Sequence, residues 1–259
     1  MKQNYHCASS GEITSGEYGE IRVSGSAKMT GDVVCDSLRV SGSVKAAGDL
    51  TCGEVIGGEM TGGELSISGD LKVEGAFTAA AARISGGVKT QGNVKITEKL
   101  SLSGGLQTEG DMQLAEAKIS GGLTCEGKLE AGTLAISGSL KSGDDVSAEA
   151  FSCSGKTEIS GLLNAETITL SLCGRSEIEN IGCTSLKVKK NPSVLGIGSK
   201  PSLTAESIEG DTIELEYTEA EVVRGKNVVV GAKCKIGRVE YSESLDIRDG
   251  GEVAEQVKV

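Results

Sequence analysis

The chain has 259 residues, with 38 glycines, two prolines, six Phe and Tyr residues together, no tryptophan and a formal net charge of −11. That charge argues against nucleic acid as a partner, because phosphate binding needs clustered Lys and Arg. Glycine does not fall at every third position, so the chain is not a collagen, and its regularly spaced apolar residues are unlike those of a disordered chain.

In chain order, residues 1–22 read as an entry or capping segment, with loose strand signals in GEITSGEYGEI. It opens without an apolar run of signal-peptide or membrane-spanning length, so the expected location is the cytoplasm, with membrane association left open.

Residues 23–170 are a repeat. Its marker is a hydrophobic residue followed by Ser-Gly, with the hydrophobic residue at Val23, Val40, Ile67, Ile84, Leu102, Ile119, Ile136 and Cys153. Most steps are 17 residues. One is 18, and Val40 to Ile67 spans 27, which makes the rung near Ile56 irregular. Apolar residues recur four positions on (Val44, Leu71, Val88), ten on (Val33, Phe77, Val94) and fifteen on (Leu38, Val55, Leu134). Position twelve is small, as at Cys35, Cys52 and Ala79.

These inward positions come in pairs two residues apart, the period of a strand with one face buried. Glycines separate the pairs. Gly25, Gly42, Gly69, Gly86, Gly104, Gly121, Gly138 and Gly155 all follow the marker serine and are read as structural turns. Three strands and three corners per 17 residues predict an all-β fold: a three-sided, single-stranded parallel β-helix, or β-solenoid. One rung cannot bury its apolar face alone, so rungs must stack, and the two end rungs need a cap or another chain. A left-handed hexapeptide solenoid is the nearest rival, but its even six-residue spacing does not match the gaps of six, five and six.

After residue 170 the phase slips. Residues 171–259 read as irregular rungs with a loop near 189–201 and a C-terminal cap, continuing the same solenoid. Both prolines, Pro192 and Pro201, fall in that stretch, as do Lys187, Lys189, Lys190 and Lys200; the reading is a surface loop. All four tyrosines (Tyr5, Tyr18, Tyr217 and Tyr241) lie outside the regular repeat. With Leu245, Ile247, Val253 and Val257 they are the candidates for capping or self-association.

Candidate chemistry is sparse. His6 is the sole histidine, which argues against a His-based triad or metal site, and no cofactor is expected. The eight cysteines include no CxxC and read as small reduced core residues, although Cys35 and Cys52 would stack if their rungs are adjacent. Lysines at the fifth position (Lys28, Lys45, Lys72, Lys89 and Lys141) and acids at the seventh (Glu74, Glu109 and Glu126) read as a solvated face, with an ordered charge array as the sharper alternative. Asp144 stands at a corner where other rungs have glycine, a backbone role rather than a catalytic one.

The phrases IRVSGSAKMTGDVVCDSLRVSGSVKAAGDL (21–50), EISGLLNAETITL (158–170) and IEGDTIELEYTEAEVVRGKNVVVGAKCKIGRVEY (208–241) resemble the bactofilins, bacterial polymer-forming cytoskeletal proteins, and especially their longer Bacillus-type relatives. The resemblance implies a right-handed coil and nucleotide-independent, end-to-end polymerisation. It also implies that the partners are further copies of the chain, with client proteins or cell-envelope factors held on the scaffold. The chain departs from the typical short bactofilin in having more rungs and no clear tail. The expected function is therefore a non-enzymatic structural protein. The alternative is a monomeric scaffold that binds a protein or polysaccharide through a flat ladder face.

Overall fold

The computed structural model describes residues 2–46, 50–57, 59–67, 69–192 and 200–259. Gly48 and the segment 193–199 of the expected loop lie outside the described residues. The described residues are all-β with no helix, and every strand pairing among them is parallel. The chain divides into two compact units, Met1–Gly127 and Lys128–Val259.

The first unit holds β1 (Gln3–Cys7), β2 (Gly11–Ile13), β3 (Gly16–Val23), β4 (Ala27–Met29), β5 (Val33–Val40), β6 (Ser43–Ala46), β7 (Leu50–Gly57), β8 (Glu59–Ile67), β9 (Leu71–Val73), β10 (Phe77–Ile84), β11 (Val88–Thr90), β12 (Val94–Thr108) and β13 (Met112–Cys125). Register places their residues on three sides of a coil. Side A stacks Gly11, Ala27, Val44, Met60, Phe77, Val94 and Met112. Side B stacks Val33, Leu50, Leu65, Ala82, Leu100 and Ala117. Side C stacks Tyr5, Ile21, Leu38, Val55, Leu71, Val88, Leu106 and Leu123.

This register explains the 27-residue step. Val23 and Val40 are partners on side C, whereas Ile67, Ile84, Leu102 and Ile119 are partners on side B. Between Val40 and Ile67 the chain makes a compressed turn plus two further sides, so the repeat resumes one side out of phase. The fifth-position lysines are therefore not one array. Lys28 and Lys45 stack on side A, and Lys72 and Lys89 on side C.

The second unit holds β14 (Leu129–Ser142), β15 (Val146–Leu172), β16 (Arg175–Lys190), β17 (Ser202–Leu215), β18 (Thr218–Val230), β19 (Lys235–Ile247) and β20 (Glu252–Lys258). Its side D runs through Leu163, Ile181, Ile208, Val223 and Val239. Side E runs through Ile168, Leu186, Ile213, Val228 and Leu245. Side F runs through Ala205, Ala220, Ile236 and Val253. The irregular C-terminal sequence keeps three sides, with rungs shortened where Ile208 pairs with Val223. Strand β16 extends to Lys190 and β17 begins at Ser202, and Lys187 pairs with Glu214 at 2.5 Å.

The interior is narrow, so small aliphatics fill it at crystal-like density; Phe77 and Phe151, at 0% and 1% exposed, are its largest buried side chains. Six residues after the marker hydrophobic residue, the repeat carries small side chains that bond the corners. Thr90, Thr108 and Cys125 stack on one side with buried side chains, and Thr108 Oγ1 donates to the Gly92 carbonyl at 2.8 Å. Cys125 donates to the carbonyls of Gly110 at 3.4 Å and Gly127 at 3.2 Å. A side chain at this position satisfies corner carbonyls that the strand ladder cannot reach.

The corner glycines separate into two kinds. Gly104, Gly121, Gly138 and Gly155 have φ of 142°, 144°, 140° and 154°. A Cβ built on Gly121 would lie 1.9 Å from the Gly104 carbonyl oxygen. Stacked corners leave no room there for a side chain. Gly25, Gly42 and Gly86 occupy bends where a Cβ would also approach the rung before, and Gly69 lies in the bend beneath Gly86.

Candidate functional site

A β-solenoid rung is sealed by the rungs on either side of it, so chemistry or recognition concentrates where a neighbour is missing. The first rung of the first unit is an edge, since β1 pairs with β3 alone among the described residues, but two tyrosines lie over its core. Tyr5 and Tyr18 meet edge to face, with centroids 6.4 Å apart and planes at 82°. Tyr5 Oη donates to the Glu12 carbonyl at 3.2 Å and Tyr18 Oη to the Thr14 carbonyl at 2.9 Å. Asn4 Oδ1 accepts from the Glu20 amide at 2.9 Å. Beside these rings Ile13 and Ile21 are fully buried.

The last rung of the second unit is open. Leu245 and Ile247 lie over Val228 and Val230, and Val253 lies over Ile236. The three residues beneath are 0–3% exposed, whereas Ile247 is 38% exposed and Leu245 and Val253 are half-buried. Strand β20 pairs with β19 alone among the described residues, so its outer N–H and C=O groups form a free sheet edge. Charges ring this rung, with Arg248 reaching Glu214 at 3.2 Å and Arg238 reaching Glu255 at 3.5 Å.

The sequence-derived candidates do not all share this place. Val257 pairs with Glu240, and it is Gln256 that continues the line of Val239 on side D. Gln256 is exposed. A polar residue thus sits at an inward position of the last rung, a residue that apolar patterning passes over. Tyr241 is half-buried one rung below, where its carbonyl accepts from the Val259 amide at 3.0 Å. Tyr217 is a corner residue further in, at φ 53°, with its amide bonded to the Ala232 carbonyl at 2.8 Å and its carbonyl to the Leu203 amide at 2.9 Å.

Five of the eight thiols are buried. Cys35 and Cys52 are partners on side B, with Cys35 Sγ donating to Cys52 Sγ at 2.7 Å. That contact, reinforced by burial, holds the Cys35 thiol well above its ordinary range. Burial pushes Cys183 up to about 11, whereas hydrogen bonds from Ser9 lower Cys7. Among the described residues, no group of three or more His, Cys, Asp or Glu side chains is placed to hold a metal ion. Among the described residues, no helix is long and apolar enough to cross a membrane.

Residues 40–130 match the Bactofilin family model, whose description is polymer-forming cytoskeletal. The bactofilin match opens on the compressed turn at Val40–Ile67 and takes in most of the regular rungs of the first unit. The tyrosine-bearing first rung and the apolar last rung both lie outside it. Two Bacillus subtilis proteins are similar over comparable lengths. The uncharacterized protein YhbE is 47% identical over 89 residues, which are 33% of this chain and 38% of YhbE. The uncharacterized protein YhbF is 40% identical over 100 residues, 38% of this chain and 42% of YhbF. The chain therefore matches less than half the length of these relatives. No solved structure matches it.

Proposed function

We propose that this chain is a non-enzymatic structural protein of the cytoplasm that self-associates through its last rung into cytoskeletal polymers or scaffolds, as the bactofilin description implies. The observation that carries this reading is the uncovered line of Leu245, Ile247 and Val253, core residues by position that lack the next rung. Covering the part of each such side chain that is still exposed contributes on the order of 1 kcal/mol, and a second chain docked on the free β20 edge also satisfies its backbone groups. The ring of charges around the apolar centre resembles the polar rim and apolar core of a protein–protein interface. Client proteins or cell-envelope factors are the partners such a scaffold would hold.

Negative-stain electron microscopy and light scattering of the purified chain test this reading. Filaments, sheets or concentration-dependent oligomers are expected. A monomer at every salt and protein concentration would overturn it, and capture of a protein or polysaccharide by that monomer would replace it with a binding scaffold.

A further inference from the structure

The register in each unit sorts outward charges by side, and one side of each unit is strongly biased. On side C of the first unit, His6, Arg22, Arg39, Ile56, Lys72 and Lys89 follow one another rung by rung. On side F of the second unit, Lys141, Glu158, Glu177, Thr204, Glu219, Lys235 and Glu252 do the same, with four glutamates against two lysines. Two residues further along each strand, Glu179, Glu206 and Glu221 stand on the rungs of Glu177, Thr204 and Glu219. A groove of about 1430 Å³ runs along this acidic side.

Like charges directly opposite across a parallel ladder destabilise it. Internal neutralisation is partial. Arg22 bonds Glu20 at 2.7 Å, and Lys156 pairs with Glu158. Among the described residues, Lys72 and Lys89 form no ion pair, nor do Glu177, Glu179, Glu206, Glu219 and Glu221. Apart from the half-buried Ile56 and Glu158, both ladders are exposed, and both repeat at the strand spacing of about 4.8 Å.

We propose that side C of the first unit in one copy docks laterally on side F of the second unit in another copy, lysines and arginines against glutamates. The chemistry selects a second copy because its charges recur at the same rung spacing, so successive pairs stay in step; a flexible basic peptide has no such period. The contact is independent of the last-rung contact and differs from it in kind. It is electrostatic and weakens with salt, whereas apolar burial at the last rung does not.

The test uses sedimentation velocity of the full chain carrying Leu245→Gln and Val253→Gln, uncharged changes that weaken the last-rung contact without adding a cation to side F, where Val253 lines the groove. Association is expected to persist in this background at about 50 mM NaCl and to weaken at least about tenfold at about 500 mM. Adding Lys72→Glu and Lys89→Glu should abolish it, as should adding Glu206→Lys and Glu221→Lys instead. Mixing those two reversed chains should restore it as a heterotypic complex, which also shows that both variants are folded. A monomeric background at low salt, or association indifferent to salt and to both reversals, overturns the lateral contact and leaves the last-rung reading standing. Loss of the last-rung contact alone would instead appear as wild-type chain that assembles only while the ladders are intact.

Discussion

Val253 lies directly over Ile236 on side F, and only Ile236 is sealed from solvent, at 3% exposed. The two side chains play the same part in consecutive rungs and differ only in whether another rung follows. That difference makes Val253 a direct handle on the proposed last-rung contact.

Leu245→Lys combined with Val253→Lys should cut end-to-end assembly by at least about tenfold, because a lysine ammonium at an apolar contact must be desolvated. Val257→Lys, which is off the apolar line, should have a much smaller effect. Light scattering at matched concentrations separates the two, and equal effects would move the contact away from Leu245 and Val253.

Gly121→Ala should destabilise the first unit by about 2 kcal/mol or more, since the position combines φ of 144° with a Cβ site 1.9 Å from the Gly104 oxygen. Gly174→Ala is the control, because nothing lies within 4 Å of a Cβ there. Urea unfolding of both variants gives the comparison, with Gly174→Ala expected to stay near wild type.

Thr108→Val keeps the shape but removes the donor to Gly92 and the acceptor for the Gly110 amide at 3.2 Å. A cost of about 1–3 kcal/mol is expected from leaving buried polar groups unpaired. Thr108→Cys should cost less, because Cys125 already performs this role on the adjoining rung. Equal losses for Val and Cys would mean that packing, not the hydrogen bond, sets the choice.

Thiol labelling should follow the local electrostatics. A lowered pKa gives more thiolate at a given pH, and thiolate is the reactive form. Cys7, half-buried with its pKa lowered, should therefore label first as pH rises. Cys183 should respond only as pH nears about 11, and buried Cys35, held higher still, should label last in the folded chain. Iodoacetamide labelling read by peptide mass spectrometry would contradict this if Cys35 led.

The three-sided coil was legible because inward residues of a strand alternate and corners demand glycine, and both leave marks at fixed offsets. The glycine at Gly121 could be read as a turn from its place after Ile119 and Ser120. Which side a residue occupies was not legible, because offsets count residues along the chain whereas register counts sides around it. Lys45 and Lys72 share an offset yet stand on different sides, owing to the compressed turn between Val40 and Ile67. Gln256 escaped notice because patterning searches for apolar residues, and at an open rung a polar residue can hold an inward position. The acidic ladder through Glu177 and Glu219 was missed because the marker phrase fails after residue 170 while the pairing persists.

The compressed turn also bears on how such a chain can diversify. The ten residues by which the Val40–Ile67 step exceeds the usual 17 leave the interior filled, with Met60 and Leu65 as well buried as Val44 and Leu50. They nevertheless carry Ile67, Ile84, Leu102 and Ile119 to a different wall of the first unit from Val23 and Val40. A single insertion thus redecorates the exterior without altering one repeat, as shifting the thread of a screw re-aims its slot. Surface identity in this architecture is set by counting residues between repeats as much as by choosing them.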